Sequence, residues 1–363
     1  MNYKKRIFKE NFSASEYSLF VLGADVGGTN TNLCIAAIEE SKPILLFSFH
    51  FKTKELSSIN EAVNEIMSYA YDTYSIEVNI ACIAAAGIIS EDKKYVELTN
   101  ANWHINTEEL KRNSALNHIY LINDFQAIGY GINFLNPSNK NDFFILNPSQ
   151  ENQTTDTKVI IGAGTGLGKS ILIYNHQFKA YIPIPSEGGH TDFPIHLSWE
   201  QSLVNYVRKI RNISHPLPYE ELLSGRGLEA IYLYLTQQEG FQATDFTKEI
   251  DTVDEKAVFI SKYRLVDATC KQTFSIFSKF YGRCAKNFVL DTLAKGGLYI
   301  AGGIASKNQD IFTSNEFIEE FKKGYRREEF LNSVPIFIIL NYDISLYGTC
   351  FAAYYFQKIK HQL

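Results

Sequence analysis

No two cysteines in this 363-residue chain stand at a CxxC spacing, so neither a zinc site nor a disulfide framework is expected. The five that occur, Cys34, Cys82, Cys270, Cys284 and Cys350, are scattered in the manner of core thiols. Cys270, Phe274, Phe277, Tyr281, Cys284 and Phe288 recur at steps of four and three, which puts two of those thiols on the apolar stripe of one long helix. Unpaired thiols suit a reducing compartment, and a cytoplasmic location is expected. Long hydrophobic runs are also missing: nothing approaches a membrane span, and the short apolar run at residues 19–24 ends in Asp25, which argues against a signal peptide. There is no basic stripe either. With 35 basic and 40 acidic residues the net charge is −5, which recommends neither a nucleic acid nor an anionic membrane as partner. What is present is 45% hydrophobic and 14% aromatic content, enough over this length to supply a sizeable core to each of two domains.

After about eighteen polar residues, expected to be loosely held, residues 19–38 read as strand, glycine turn, strand. The turn is Gly27, Gly28, Thr29 and Asn30. Two glycines let backbone approach a ligand closely, successive N–H groups can cradle an anion, Thr29 adds a hydroxyl, and Asp25 could hold hydrated Mg²⁺. A plain hairpin turn is the simpler alternative. Residues 42–53 are strand-like, and Ser58 begins a helix with Glu61 at the capping-box position. Ile59, Ala62, Val63, Ile66, Met67 and Ala70 give it the period of an amphipathic helix laid on a sheet. Residues 78–87 read as a buried strand, completing a compact α/β domain that reaches its edge near Asp124. Close by, residues 98–105 form an amide-rich loop, with Asn102 in it, that could line a pocket.

In LINDFQAIGYG, residues 121–131, an apolar run delivers Asn123 and Asp124 to a strand end and then breaks at glycines. Catalytic groups gather at such rims in α/β folds, although Asp124 could equally cap the helix that follows. Residues 159–173 are a second pair of apolar runs around a glycine turn. A Walker A loop fails here because Ala163 stands where glycine is needed and the segment continues as a strand. A dinucleotide fingerprint fails at Leu167 and Lys169. What remains is a hairpin-type phosphate loop with Gly164, Thr165 and Gly166 at its tip.

Next, Glu187 and His190 flank two glycines, and Glu220 opens residues 220–232. No third ligand stands at a metal spacing, whereas carboxylates and an imidazole supply the directed hydrogen bonds that a polyhydroxylated substrate requires. Read alone, Glu187 could be a solvated loop acid and Glu220 a first-turn acid. Residues 233–252 look like a polar surface helix and loop. A third strand ends in Gly302 and Gly303, and residues 334–340 give a core strand.

In that order, these motifs resemble the bacterial-type glucokinases of the hexokinase/actin-like ATPase superfamily, over roughly residues 19–356, with NDF and EGGHTDF the most specific. The resemblance implies an α/β chain with a two-domain actin-like ATPase (ribonuclease H-like) fold and an interdomain cleft. Residues 19–134 with a C-terminal helix at 342–363 would form the small domain, 135–341 the large one, and 1–18 an extension. It implies ATP-dependent phosphorylation of the 6-hydroxyl of D-glucose, with Mg²⁺, and a homodimer. Asp124 matches the family's catalytic base; Asn123, Glu187, His190 and Glu220 match its sugar-hydroxyl ligands, with Asn102 placed beside them. Gly28, Thr29, Asn30, Gly164, Thr165, Gly166, Gly302 and Gly303 match its ATP contacts, together with Gly27 and the Mg²⁺-holding Asp25. Two residues depart from the pattern: Lys169 after the second loop, and Arg226 inside Ser-Gly-Arg-Gly-Leu, where the family often carries proline. The rival readings are a non-catalytic sugar sensor and an ATPase without a sugar.

Overall fold

The apolar runs of the first third of the chain become one six-stranded sheet in a computed structural model that describes residues 2–98, 102–148 and 155–360. Its strands are β1 (Lys4–Ile7), β2 (Phe20–Val26), β3 (Asn30–Glu39), β4 (Lys42–Lys52) and β5 (Ile80–Ala85). A small antiparallel sheet of β6 (Gly87–Ile89), β7 (Tyr95–Leu98) and β8 (His104–Asn106) intervenes before β9 (His118–Asn123) closes the first sheet. The order is β1-β4-β3-β2-β5-β9. A second six-stranded sheet, ordered β10-β15-β14-β11-β12-β13, is built from β10 (Phe143–Asn147), β11 (Lys158–Ala163), β12 (Leu167–Asn175), β13 (Ala180–Ser186), β14 (Gly297–Ala301) and β15 (Ile336–Ile339). The described residues fall into two units, one within Met1–Asn136, Asn175–Pro183 and Asn341–Leu363, the other within Pro137–Tyr174 and Ile184–Leu340.

One plan serves both sheets. An antiparallel hairpin (β2–β3, β11–β12) lends its first strand to a parallel partner (β5, β14), which pairs in parallel with another strand (β9, β15). Parallel pairing demands a crossover, and between β4 and β5 the chain supplies the amphipathic helix Ile59–Tyr74. All six residues of β5 are buried, as expected of a central parallel strand covered on both faces. Leu22, Ala24 and Val26 of β2 pack toward the helix Ile59–Tyr74, and Val21 faces the helix Ile344–Lys360. Gly23 lies on that second face, where a Cβ would come within 2.5 Å of Thr349 Oγ1 and 2.7 Å of Cys350 Sγ. The 25-residue helix Ala268–Thr292 buries Cys270, Phe274, Phe277, Tyr281, Cys284 and Phe288, and all five cysteines are free and buried. Among the described residues no helix is long and apolar enough to cross a membrane.

Three expectations fail. The N-terminal residues are not loosely held: β1 pairs with β4, Tyr3 stacks on Phe49 with ring centroids 4.2 Å apart, and Phe12 stacks on Tyr74 at 4.7 Å. Aromatic area and an open sheet edge outweigh the polarity of the segment. The capping box at Ser58 does not form, because Glu61 turns to the hydroxyl of Ser57 instead. Residues 233–252 are not all surface, since Tyr234, Leu235 and Ile250 are buried in the second unit's core.

Candidate active site

The carboxyl ends of parallel strands form a rim in each unit. In the first, Val26 of β2 is level with Ala85 of β5, and Ala85 is level with Asn123 of β9. The turn of Gly27, Gly28, Thr29 and Asn30 and the Asn123–Asp124 pair therefore leave the same edge, two strands or about 10 Å apart. The turn is tight, with Gly27 N–H donating to Asn30 O at 2.9 Å, and Thr53 pins it from behind. Thr53 Oγ1 donates to Gly27 O at 2.7 Å and its N–H donates to Thr29 O at 3.0 Å. Trp103 Nε1 reaches Thr53 O at 3.4 Å, which ties the exposed Asn102 to the same corner. Residues 99–101 of that amide-rich loop lie outside the described residues.

Asp25, near the carboxyl end of β2, stands on this rim. Burial pushes its pKa up, and the hydroxyl of Ser345, donating to Oδ2 at 2.6 Å, pulls it back. A carboxylate under such a strain is stabilised by a cation beside it, and a hard oxygen donor suits Mg²⁺ held through water. The residues present thus fit the ion. Among the described residues no group of three or more His, Cys, Asp or Glu could hold a metal by itself, so phosphate and water oxygens would have to complete the shell.

Asp124 is the first residue of the helix Asp124–Gly131, but it is not the N-cap. Asn123 is. Its side chain accepts from Phe125 N–H at 2.8 Å, and Gln126 Oε1 returns the favour to Asn123 N–H at 3.2 Å, a complete capping box. Asn123 caps, using its amide oxygen and keeping its NH₂ donors, and Asp124 Oδ1 shares Phe125 N–H with it at 2.9 Å.

The second unit repeats the arrangement. Gly164 N–H closes a tight turn onto Gly166 O at 2.8 Å, with Gly164 and Thr165 exposed at the tip, and β12 continues as strand where a P-loop would open a helix. Gly162 of β11 is level with Ala301 of β14, so Gly302 and Gly303 leave the same rim. Gly302 has φ +94°, and a Cβ there would sit 2.7 Å from Ala163 O. Only glycine meets both demands. Gly189 packs under Leu167, where a Cβ would overlap Leu167 O, which brings Glu187 and His190 to the loop. Those two side chains are exposed and 3.9 Å apart. Glu220 behaves differently: it is mostly buried, its Oε2 accepts from Leu167 N–H at 2.9 Å, and its Oε1 accepts from Arg226 at 3.2 Å. Its carboxylate is thus part of the loop's own support, although further lone pairs remain for a hydroxyl.

The glucokinase family model matches residues 22–356. A glucokinase of Nostoc punctiforme is 32% identical over 346 residues, covering 92% of this chain and 98% of that protein. The chain belongs to the glucokinase family. It is accordingly an enzyme, a kinase that phosphorylates glucose. Two solved structures share its fold: glucokinase of an Antarctic psychrotroph (TM-score 0.75, 24% identity, covering 92% of this chain and 98% of that one) and glucokinase of Balamuthia mandrillaris in complex with glucose (TM-score 0.77, 23% identity, 94% and 95%).

For a member of the glucokinase family, three supports of the site escaped sequence reasoning. Thr53 and Ser345 carry no motif, and their partners lie 26 and 320 residues away. The third is a buried ion cluster behind residues 191–194: Arg283 donates to Pro194 O and to both oxygens of Glu200, each at 2.8 Å, and to Glu320 at 2.9 Å. Lys169 is buried too, with Nζ 5.2 Å from the Tyr219 ring and 5.0 Å from the Phe288 ring, so it lies under the loop rather than at its tip.

Proposed function

We propose that this enzyme transfers the γ-phosphoryl group of ATP to the 6-hydroxyl of D-glucose, and that Asp124 accepts the hydroxyl proton as the oxygen attacks. The observation that carries this reading is the position of Asp124: it stands on the rim of the glycine turn, with the capping work done by Asn123. An alcohol is a poor nucleophile at pH 7 and needs a positioned acceptor. The phosphoryl group itself needs placement and charge stabilisation more than covalent help. Backbone N–H groups at Gly28, Thr29, Asn30, Gly164, Thr165 and Gly166 suit the phosphates, and Gly302 with Gly303 suits the close approach of the adenosine. Asp25 would hold Mg²⁺ through water; when bound, the ion offsets phosphate charge. For the finer architecture we propose the two-domain actin-like ATPase fold, with residues 19–134 and 342–363 in one domain, joined by the N-terminal residues and 175–183 that group with them, and the rest of 135–341 in the other.

Asn102, the NH₂ of Asn123, Glu187, His190 and Glu220 would take the sugar hydroxyls. An assay coupling ADP release to a dye, run with glucose, with 6-deoxyglucose and with neither, tests the proposal. ADP should appear with glucose alone, and equal release in all three would overturn the assignment. His190→Ala should raise the KM for glucose roughly 5- to 150-fold, the worth of one hydrogen bond of about 1–3 kcal/mol that the bound sugar would cover, while the KM for ATP changes far less. Equal effects on both substrates would remove His190 from the sugar site.

A further inference from the structure

Glu220 poses an electrostatic problem that Arg226 answers. A Cβ added to Gly166 would sit 2.4 Å from Glu220 Oε2, so a carboxylate lies directly behind the turn that is read above as a phosphate cradle. Left alone, that negative charge would repel the polyanion the turn is built to receive. Arg226 Nη2 reaches Glu220 Oε1 at 3.2 Å and Glu221 at 3.7 Å, while Arg211 holds Glu221 at 3.9 Å. Two acids thus meet two arginines, and the group is fastened to the turn itself. Gly225 N–H donates to Gly164 O at 2.8 Å, and Ser224, the N-cap of the helix that carries Arg226, donates to Glu220 O at 2.8 Å.

We propose that Arg226 is a positioning residue that neutralises Glu220 behind the Gly164–Thr165–Gly166 turn, making a sugar-binding carboxylate compatible with an ATP phosphate bound on the other side of the same loop. Glu220 is then shared: Oε2 orders the backbone of the phosphate turn through Leu167 N–H, its remaining lone pairs serve the sugar, and Arg226 cancels its charge toward the nucleotide. This rests on the proposed function, because it takes the turn as an ATP contact.

The test is steady-state kinetics on the full-length enzyme, with the ATP and glucose KM measured separately. Arg226→Ala should raise the ATP KM roughly 5- to 50-fold, as expected of one uncompensated charge a few ångströms from the phosphate, and more so at low salt. Arg226→Lys should recover most of that loss. Glu220→Gln/Arg226→Ala removes both charges while an amide oxygen still accepts from Leu167 N–H. Its ATP KM should return toward wild type while its glucose KM stays raised. A merely structural arginine would give no such rescue. An ATP KM within twofold of wild type in Arg226→Ala, or a double variant no better for ATP than the single one, overturns the inference. Should Arg226→Ala fail to fold, Arg226→Gln is read in its place by the same criteria. If wild-type protein releases no ADP with glucose, the proposed function falls; if it does and Arg226→Ala is unaltered, the inference falls alone.

Discussion

Replacing Asp124 with asparagine should lower kcat by about 10²- to 10⁴-fold while leaving glucose affinity within about tenfold of wild type. An amide keeps the size of the carboxylate and still hydrogen-bonds the hydroxyl, but cannot take its proton. The fold should not suffer, because the helix Asp124–Gly131 is capped by Asn123 and Gln126, neither of which the change touches. The companion variant Asn123→Ala separates the two jobs. Losing the cap should cost about 1 kcal/mol of stability, and losing the NH₂ should raise the glucose KM, with kcat far less affected than in Asp124→Asn. Purified, folded Asp124→Asn enzyme that keeps more than about a tenth of wild-type kcat would show that Asp124 is not the base.

The second large effect concerns stability. Arg283→Met should destabilise the protein by about 3–5 kcal/mol, seen as a lower urea midpoint at pH 7, because it leaves Glu200 and Glu320 buried without their main partner. Lys279 at 3.5 Å from Glu200 and Lys323 at 3.5 Å from Glu320 can offset only part of that charge. The pH dependence has a definite sign. Burial alone would raise the pKa of Glu200, but hydrogen bonds from Arg283 and from His196 N–H, with the charges of Arg283 and Lys279, outweigh it and bring the pKa down to about 2. A depressed carboxylate contributes its full stability above the unfolded value near 4.5 and loses it as pH falls through about 2. Wild-type stability should therefore decline across that window, and Arg283→Met should be less sensitive to pH there. A loss under about 1 kcal/mol at pH 7 would mean the cluster carries no such weight.

Local signals were legible and distant ones were not. The β2–β3 and β11–β12 hairpins, the helix Ile59–Tyr74, the buried β5 and the Asn-Asp junction after β9 all follow from period, glycine placement and apolar runs. Each is decided within a single short stretch of neighbouring chain. The pairing of β1 with β4 depends on an edge made forty residues later, and composition alone cannot see it. Glu61 shows a local rule losing to a nearer hydroxyl, that of Ser57. Arg283, Glu200 and Glu320 are ordinary charged residues in amphipathic helices until the fold buries them together. Glu220 carried a motif, yet the motif could not tell that its carboxylate faces the backbone of the neighbouring turn.

The most direct measurement of the central claim is phosphorus NMR of the reaction itself. With ATP, Mg²⁺ and glucose, the γ-phosphorus signal should disappear in step with a new phosphomonoester signal coupled to the two protons on carbon 6 of the sugar. Without glucose the ATP signals should persist. A γ-signal that decays to inorganic phosphate equally with and without glucose, or a phosphomonoester coupled to a different sugar proton, would contradict the account.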